Sequence, residues 1–156
     1  MDRTLRIALF AAAFLPIAAT ASAHVTVSPG TSSPGAWETY SIRMPNEKTV
    51  DTTALEVRFP AGLEVKSFED KAGWTIEPLR DSSGAITGAR WTGRLAPERF
   101  VQFGIIAVNP KAGTDLGFAA SQLYADGSRV DWAGAAGSKT PAPHVRLGGE
   151  SMPHMH

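Results

Sequence analysis

Residues 39–44 read Thr39-Tyr40-Ser41-Ile42-Arg43-Met44, a strict alternation of polar and apolar side chains. Successive side chains in a β-strand point to opposite faces, so this period of two predicts a strand with Tyr40, Ile42 and Met44 turned toward a core. The residues that follow, Pro45-Asn46-Glu47-Lys48, interrupt the pattern with a proline and turn-forming polar side chains. The stretch therefore predicts a half-buried strand that ends at Pro45.

Short alternating or apolar runs recur along the chain, separated by its 15 glycines and 11 prolines. The run from Phe100 to Val108 is the most apolar after residue 23, and we expect it to be a central strand. Gly88 interrupts another run and predicts a bulge or bend, while Asp126-Gly127 predicts a tight hairpin turn. About eight to ten such runs without a helix predict an all-β fold, a single antiparallel β-sandwich that is immunoglobulin-like or cupredoxin-like.

The first 23 residues have the three parts of a secretory signal peptide. Arg3 and Arg6 give a positive start, residues 7–15 form an apolar run, and Ala21 and Ala23 are small residues of the kind that precede a cleavage site. The apolar run is shorter than the roughly 20 residues that span a bilayer. We therefore expect export to the periplasm or the exterior, with a signal peptide over 1–23, a β-sandwich domain over 24–148 and a flexible Met/His tail over 149–156.

The composition restricts the kinds of site that the chain can build. It has no cysteine, and 15 basic and 15 acidic residues give a formal net charge of +0. Without cysteine there is no disulfide, no thiolate ligand and no cysteine nucleophile. A balanced charge without a basic patch argues against a nucleic-acid partner. Any metal site must therefore use histidine, methionine, carboxylates or backbone nitrogen, including a freed terminus.

Cleavage after Ala23 would place His24 at the new N-terminus. The α-amine and the imidazole would then belong to one residue and could close a six-membered chelate on a cation. An α-amine and an imidazole have ordinary pKa values low enough for a metal to displace their protons near neutral pH, and such nitrogen donors suit Cu(II). From the cleavage site alone, the simpler interpretation is that His24 is merely the first residue after the cut, with its side chain in solvent.

Further motifs accompany this N-terminal histidine. They are His24-Val25-Thr26-Val27-x-Pro29, Trp37-Glu38-Thr39-Tyr40, Met44-Pro45-Asn46-Glu47-Lys48, Gly73-Trp74 and Tyr124-x-Asp126-Gly127-Ser128-x-Val130-x-Trp132. Together they resemble the YcnI-like family (the DUF1775 domain) over nearly all of residues 24–148. The resemblance implies an exported β-sandwich protein that holds Cu(II) by a single N-terminal histidine brace, completed by a glutamate and lying beside a tryptophan. It assigns these roles to His24, Glu47 and Trp132.

Two of these assignments have alternatives within the sequence. Glu47 lies in a polar turn, where a glutamate is normally only solvated, and Glu38 is the other carboxylate to consider because it flanks Trp37. Trp37 is likewise the alternative to Trp132 as the tryptophan of the site. A tryptophan in a strand is by default part of the core, an expectation that covers Trp37, Trp74, Trp91 and Trp132.

The C-terminal residues form a second candidate metal site. Met152, His154, Met155 and His156 fall within five residues. Thioether sulfur selects Cu(I), whereas imidazole binds either oxidation state, and short His-rich tracts are a known metal-binding composition. A tail of this kind could collect or pass on copper. The remaining histidine, His144, is expected to be structural.

Sequence and resemblance together predict a copper-binding protein of copper trafficking or homeostasis and not an enzyme. Its implied partners are the copper ion and a copper transporter or periplasmic copper chaperone. A copper oxygenase of the polysaccharide monooxygenase type is one alternative, but it needs a second histidine, which only His144, His154 and His156 could supply. A metal-free immunoglobulin-like adhesion or assembly module is the other.

Overall fold

The structure is a computed structural model that describes residues 24–148, so the predicted signal peptide and Met/His tail lie outside the described residues. The regular elements of this range are all strands. They are β1 (Thr26–Ser28), β2 (Thr31–Ser32), β3 (Trp37–Pro45), β4 (Thr52–Arg58), β5 (Glu64–Phe68), β6 (Thr75–Arg80), β7 (Ile86–Leu95), β8 (Phe100–Val108), β9 (Asp115–Gly117), β10 (Ala119–Tyr124), β11 (Arg129–Trp132) and β12 (His144–Leu147). Residues 24–148 contain no helix that is long and apolar enough to cross a membrane.

Two larger sheets and one small sheet hold these strands. One sheet has the order β1-β3-β8-β5, the second β11-β10-β4-β7-β6, and the small sheet β2-β12-β9. Pairing within both larger sheets is antiparallel, whereas β12 runs parallel to β2 in the small sheet. The predicted all-β sandwich is confirmed, with the short parallel pairing as an addition.

Strand β3 shows how the alternating sequence builds the core. It pairs with β8 from Trp37 opposite Val108 to Pro45 opposite Phe100. Tyr40, Ile42 and Met44 are each 0% exposed, as the period of two predicts. Strand β8 lies between β3 and β5 and is thus an inner strand, which confirms its predicted central position.

Aromatic contacts pack the two larger sheets against each other. Trp91 of β7 stacks on Phe103 of β8 with ring centroids 5.0 Å apart and planes 19° apart. Trp74 meets the same phenyl ring edge-on at 5.0 Å. Because these contacts cross from one sheet to the other, the apolar face of each sheet is buried against its partner.

Gly88 and the Asp126-Gly127 turn behave as the sequence predicts. A Cβ on Gly88 would come 2.5 Å from the carbonyl oxygen of Val57, so only glycine lets the neighbouring strand approach this closely. The β6–β7 pairing shifts register next to it, between Leu79 and Arg80. In the hairpin between β10 and β11, Gly127 takes a positive φ of 81°, a conformation that glycine adopts without strain.

Candidate metal centre

His24 lies against Trp132 at one end of the sandwich. The centroids of their rings are 5.4 Å apart, and the planes are tilted by 58°. Trp132 is 8% exposed, and the half-buried imidazole retains access to solvent. The His24 side chain therefore packs against a tryptophan of the core.

The register of β1 explains why His24 reaches this place. Thr26 pairs with Arg43 in the antiparallel β1–β3 ladder, so continuing the ladder by two residues sets His24 across from Pro45. Val25, between them in sequence, is 2% exposed and fixes the chain to the core. The N-terminal residues thus follow β3 to its C-terminal end.

A buried glutamine joins Trp132 to this end of β3. Gln122 is 0% exposed, and its side-chain oxygen accepts a hydrogen bond of 3.3 Å from the indole N–H of Trp132. Its amide nitrogen donates to the carbonyl oxygen of Pro45 and to the hydroxyl of Thr52, both at 2.9 Å. Gln122 was not predicted from the sequence as a site residue; it occupies an inward position of β10 between Ala120 and Tyr124.

Asn46 shapes the turn that carries Glu47. Asn46 is 1% exposed, and its amide nitrogen donates to the carbonyl oxygens of Val50 and Leu95 at 2.9 and 3.0 Å. Its side-chain oxygen accepts the backbone N–H of Lys48 at 3.0 Å. With its neighbour anchored inside, Glu47 is left exposed at the surface, two residues past Pro45.

The same turn packs onto the β10–β11 hairpin, the element that ends in Trp132. The Lys48 ammonium lies 4.1 Å from the centre of the Tyr124 ring and donates to the Ser128 hydroxyl at 2.8 Å. Burial raises the pKa of Tyr124, and the negative charges of Glu47 and Asp126 raise it further. Lys48 thus joins the turn that carries Glu47 to this hairpin, at the same end of β3 as His24.

The alternative residues Glu38 and Trp37 lie at the opposite end of β3. Glu38 pairs with Ala107, and at about 3.3 Å per residue the strand carries it roughly 23 Å from Pro45. One of its carboxylate oxygens accepts the hydroxyl of Ser32 at 2.8 Å. Trp37 is 67% exposed, so the expectation that it belongs to the core is wrong. Its odd-numbered position, in phase with Thr39, already placed it on the polar face.

His144 and the last described residue lie elsewhere in the fold. The Nδ1 atom of His144 is 2.6 Å from a carboxylate oxygen of Asp115, a pairing that joins β12 to β9 and agrees with a structural role. The backbone N–H of Gly148 donates to the carbonyl oxygen of Ser32 at 3.1 Å. Gly148 therefore lies near Glu38, at the end of β3 remote from His24.

Residues 24–148 contain no group of three or more His, Asp or Glu side chains that could hold a metal ion together. The imidazole of His24 and a carboxylate could bind a metal only with a further donor, and a freed α-amine on the same residue is such a donor. An α-amine, an imidazole and a carboxylate are the donors that the family resemblance implies.

Comparisons with known proteins place the chain in a family. Residues 24–147 match the family described as "Domain of unknown function (DUF1775)", and the chain therefore belongs to the DUF1775 family, as the sequence motifs predicted. It is 36% identical over 125 residues to the copper-binding protein CutI of Bacillus subtilis (strain 168), across 79% of this chain and 61% of that protein. The chain thus spans about three fifths of that relative's length.

Solved structures agree with the fold. A protein from Nocardia farcinica described as having an immunoglobulin-like fold is 31% identical, with a TM-score of 0.67 and coverage of 81% of this chain and 99% of that one. A non-cellulosomal cohesin from Archaeoglobus fulgidus reaches a TM-score of 0.52 at 12% identity, covering 85% and 98%. At that identity the second likeness concerns the fold alone.

Proposed function

We propose that this DUF1775 chain is an exported Cu(II)-binding protein of copper trafficking or homeostasis, and that it binds the ion where His24 meets Trp132. The observation that carries the proposal is the 5.4 Å contact between the two rings. It pairs the one residue that export would turn into an amine–imidazole chelate with a buried tryptophan. The copper-binding name of the Bacillus subtilis relative supports the choice of metal.

The proposed donors are the α-amine and imidazole of His24 and the carboxylate of Glu47. Two neutral nitrogens leave the charge of a dication uncompensated, and an anionic oxygen would offset part of it. Glu47 is favoured over Glu38 because it is exposed on the His24 end of β3, whereas Glu38 is hydrogen-bonded to Ser32 at the far end. Trp132 would shield one side of the ion with its ring.

Carrying copper is favoured over oxidising with it. A second histidine beside the first would be needed for an oxygenase of the polysaccharide monooxygenase type, and within residues 24–148 the other histidine, His144, is instead paired with Asp115 on the small sheet. Electron paramagnetic resonance of the Cu(II) form should indicate two nitrogen donors, not three. Peroxide-driven cleavage of a polysaccharide by the copper-loaded protein would reverse this choice.

The decisive experiment compares two forms of the processed protein by isothermal titration with Cu(II). The form that begins at His24 should bind one ion tightly. A form with a single alanine added before His24 should lose this site, because its nitrogen at that position is an amide and not an amine.

A matched pair controls for the tail. Both forms are also prepared without residues 149–156, which removes Met152, His154, Met155 and His156. The tight site should persist in the shortened protein that begins at His24 and remain absent from the extended one. Equal binding by the alanine-extended protein would show that the brace is not the site.

A further inference from the structure

We infer that Gln122 is a positioning residue, which fixes the ring of Trp132 against His24 and ties both to the turn that carries Glu47. Its importance for copper rests on the proposed function, but its role in orienting Trp132 does not. The inference comes from the three hydrogen bonds that its buried side chain makes.

The chemistry of the partners determines how the amide is oriented. An indole N–H only donates and the carbonyl of Pro45 only accepts, so the oxygen of Gln122 must face Trp132 and its nitrogen must face Pro45. The opposite orientation would leave both partners unpaired. Because Gln122 is 0% exposed, water cannot replace its bonds to Trp132 and Pro45, and these two bonds hold the amide in this orientation.

The bonds of Gln122 also cross the seam between the two larger sheets. Gln122, Thr52 and Trp132 belong to the five-stranded sheet, whereas Pro45 ends β3 in the four-stranded sheet. The bond from Gln122 to the Pro45 carbonyl therefore fixes the spacing of the sheets at the end where His24 lies. Asn46 and Glu47 follow Pro45 directly, so the same bond fixes the base of their turn.

An apolar side chain of similar size would fill the space but not orient the indole. With Gln122→Leu, the indole N–H loses its acceptor and the ring is free to rotate about its side-chain torsions within the space available. The contact with His24 and the position of the Pro45 carbonyl would both relax. Groups hydrogen-bonded directly to a metal ligand typically change metal affinity by roughly 10–100-fold when removed. Gln122 bonds to Trp132 and Pro45 and to none of the proposed donors, so its removal should have an effect at or below the lower end of that range.

The test begins with the metal-free protein that starts at His24. Nuclear magnetic resonance would follow the indole N–H signals and the ring protons of His24, which feel the ring current of Trp132. In Gln122→Leu, the Trp132 N–H should shift and exchange with solvent faster, and the His24 ring signals should move. The indole signals of Trp74 and Trp91, which pack on Phe103, should stay in place.

Thr52→Val is the matched control, because it removes one acceptor of Gln122 and leaves the bonds to Trp132 and Pro45. It should leave the His24 ring signals within experimental error of the wild type. Gln122→Met serves as a second variant should Gln122→Leu fail to fold. Its unbranched side chain has a similar length but lacks the acceptor for the indole N–H of Trp132, so the His24 signals should move as in Gln122→Leu.

Copper titration then completes the test. Gln122→Leu should weaken Cu(II) binding by up to roughly tenfold and alter the electron paramagnetic resonance spectrum, whereas Thr52→Val should bind as the wild type does. Unchanged His24 and Trp132 signals in a folded Gln122→Leu protein would overturn the inference. Failure of the wild type to bind copper would instead refute the proposed function, because the metal-free spectra judge Gln122 independently.

Discussion

The two ends of strand β3 each contain a buried side-chain amide, but they differ in the ionisable side chains that lie beside it. At each end a buried side-chain amide links an aromatic residue to a neighbouring segment: Gln122 with Trp132 at the C-terminal end, and Asn109 with Tyr40 at the N-terminal end. The amides are 0% and 2% exposed. Buried amides of this kind therefore serve the sandwich generally, and what distinguishes the C-terminal end is the presence of His24.

At the N-terminal end of β3, the carboxylate of Glu38 is part of the hydrogen-bond network. The hydroxyl of Tyr40 donates to Asn109 at 2.7 Å, and Asn109 donates to the hydroxyl of Ser32 and the carbonyl of Ser33 at 2.9 Å. Ser32 in turn donates to Glu38. At the C-terminal end the network stops at the backbone of Pro45 and leaves Glu47 at the surface. The difference suggests a structural role for one glutamate and a ligand role for the other.

Breaking the N-terminal network should give the largest loss of stability without affecting the metal. Asn109→Leu leaves the buried hydroxyl of Tyr40 and the carbonyl of Ser33 without their partner. We expect the free energy of unfolding to fall by about 3 kcal/mol, the upper part of the range for unpaired buried groups. Urea unfolding would measure this. Cu(II) affinity of the folded variant should remain within about twofold of the wild type, whereas a large loss would mean that the two ends are coupled.

Neutralising each of the two glutamates in turn compares the two ends of β3 by their effect on Cu(II) binding. Glu47→Gln removes the proposed anionic ligand and should weaken Cu(II) binding by at least about tenfold, equivalent to about 1.4 kcal/mol. Glu38→Gln is its matched control, with the same change of charge at the other end of β3, and should have little effect. Titration of both variants decides the matter: a greater loss with Glu38→Gln would transfer the carboxylate role to Glu38.

The smallest expected effect concerns the two buried tyrosines. Burial is the main cause that raises the pKa of Tyr40 above its ordinary 10.0, and burial likewise raises that of Tyr124. The protonated phenol is thus favoured by folding, and its contribution is present below pH 10 and lost as the pH rises through the raised value. Tyr40→Phe should lower the free energy of unfolding by about 1 kcal/mol near neutral pH. Above pH 10, the stability of this variant should fall less steeply with pH than that of the wild type.

Urea unfolding at a series of pH values would check this last expectation. Some alkaline loss should persist in Tyr40→Phe, because Tyr124 still titrates. Tyr124→Phe, at the end of β10, is the matched variant for the other buried tyrosine. An alkaline slope in Tyr40→Phe equal to that of the wild type would mean that ionisation of Tyr40 does not oppose folding.

The alternation of polar and apolar residues predicted the long strands and their buried faces, but not the shortest strands. Tyr40, Ile42 and Met44 face the core as predicted because nine paired residues leave no ambiguity of phase. The two- and three-residue strands β2 and β9 show no period at all, so the small sheet and its parallel pairing were not predictable. Trp37 was misassigned because its size was given more weight than its phase.

The candidate site was accessible to sequence reasoning only through family resemblance. His24 and Trp132 belong to opposite ends of the described chain and to different sides of the sandwich, and no local pattern relates them. Their contact follows from the register of β1 on β3 and from the order of strands in the other sheet. Gln122 and Asn109 escaped notice because polar residues in a β pattern are read as surface or turn until a fold shows what they bond.

With Cu(II) at the proposed site, the contact between His24 and Trp132 would make indole fluorescence a measure of metal binding. A Cu(II) ion quenches the emission of an adjacent indole, and Trp132 lies against His24 while the exposed Trp37 sits at the other end of β3. Occupancy of the proposed site would therefore dim one shielded fluorophore and spare the solvent-exposed one. Loading and release of the ion could then be followed in real time without any label.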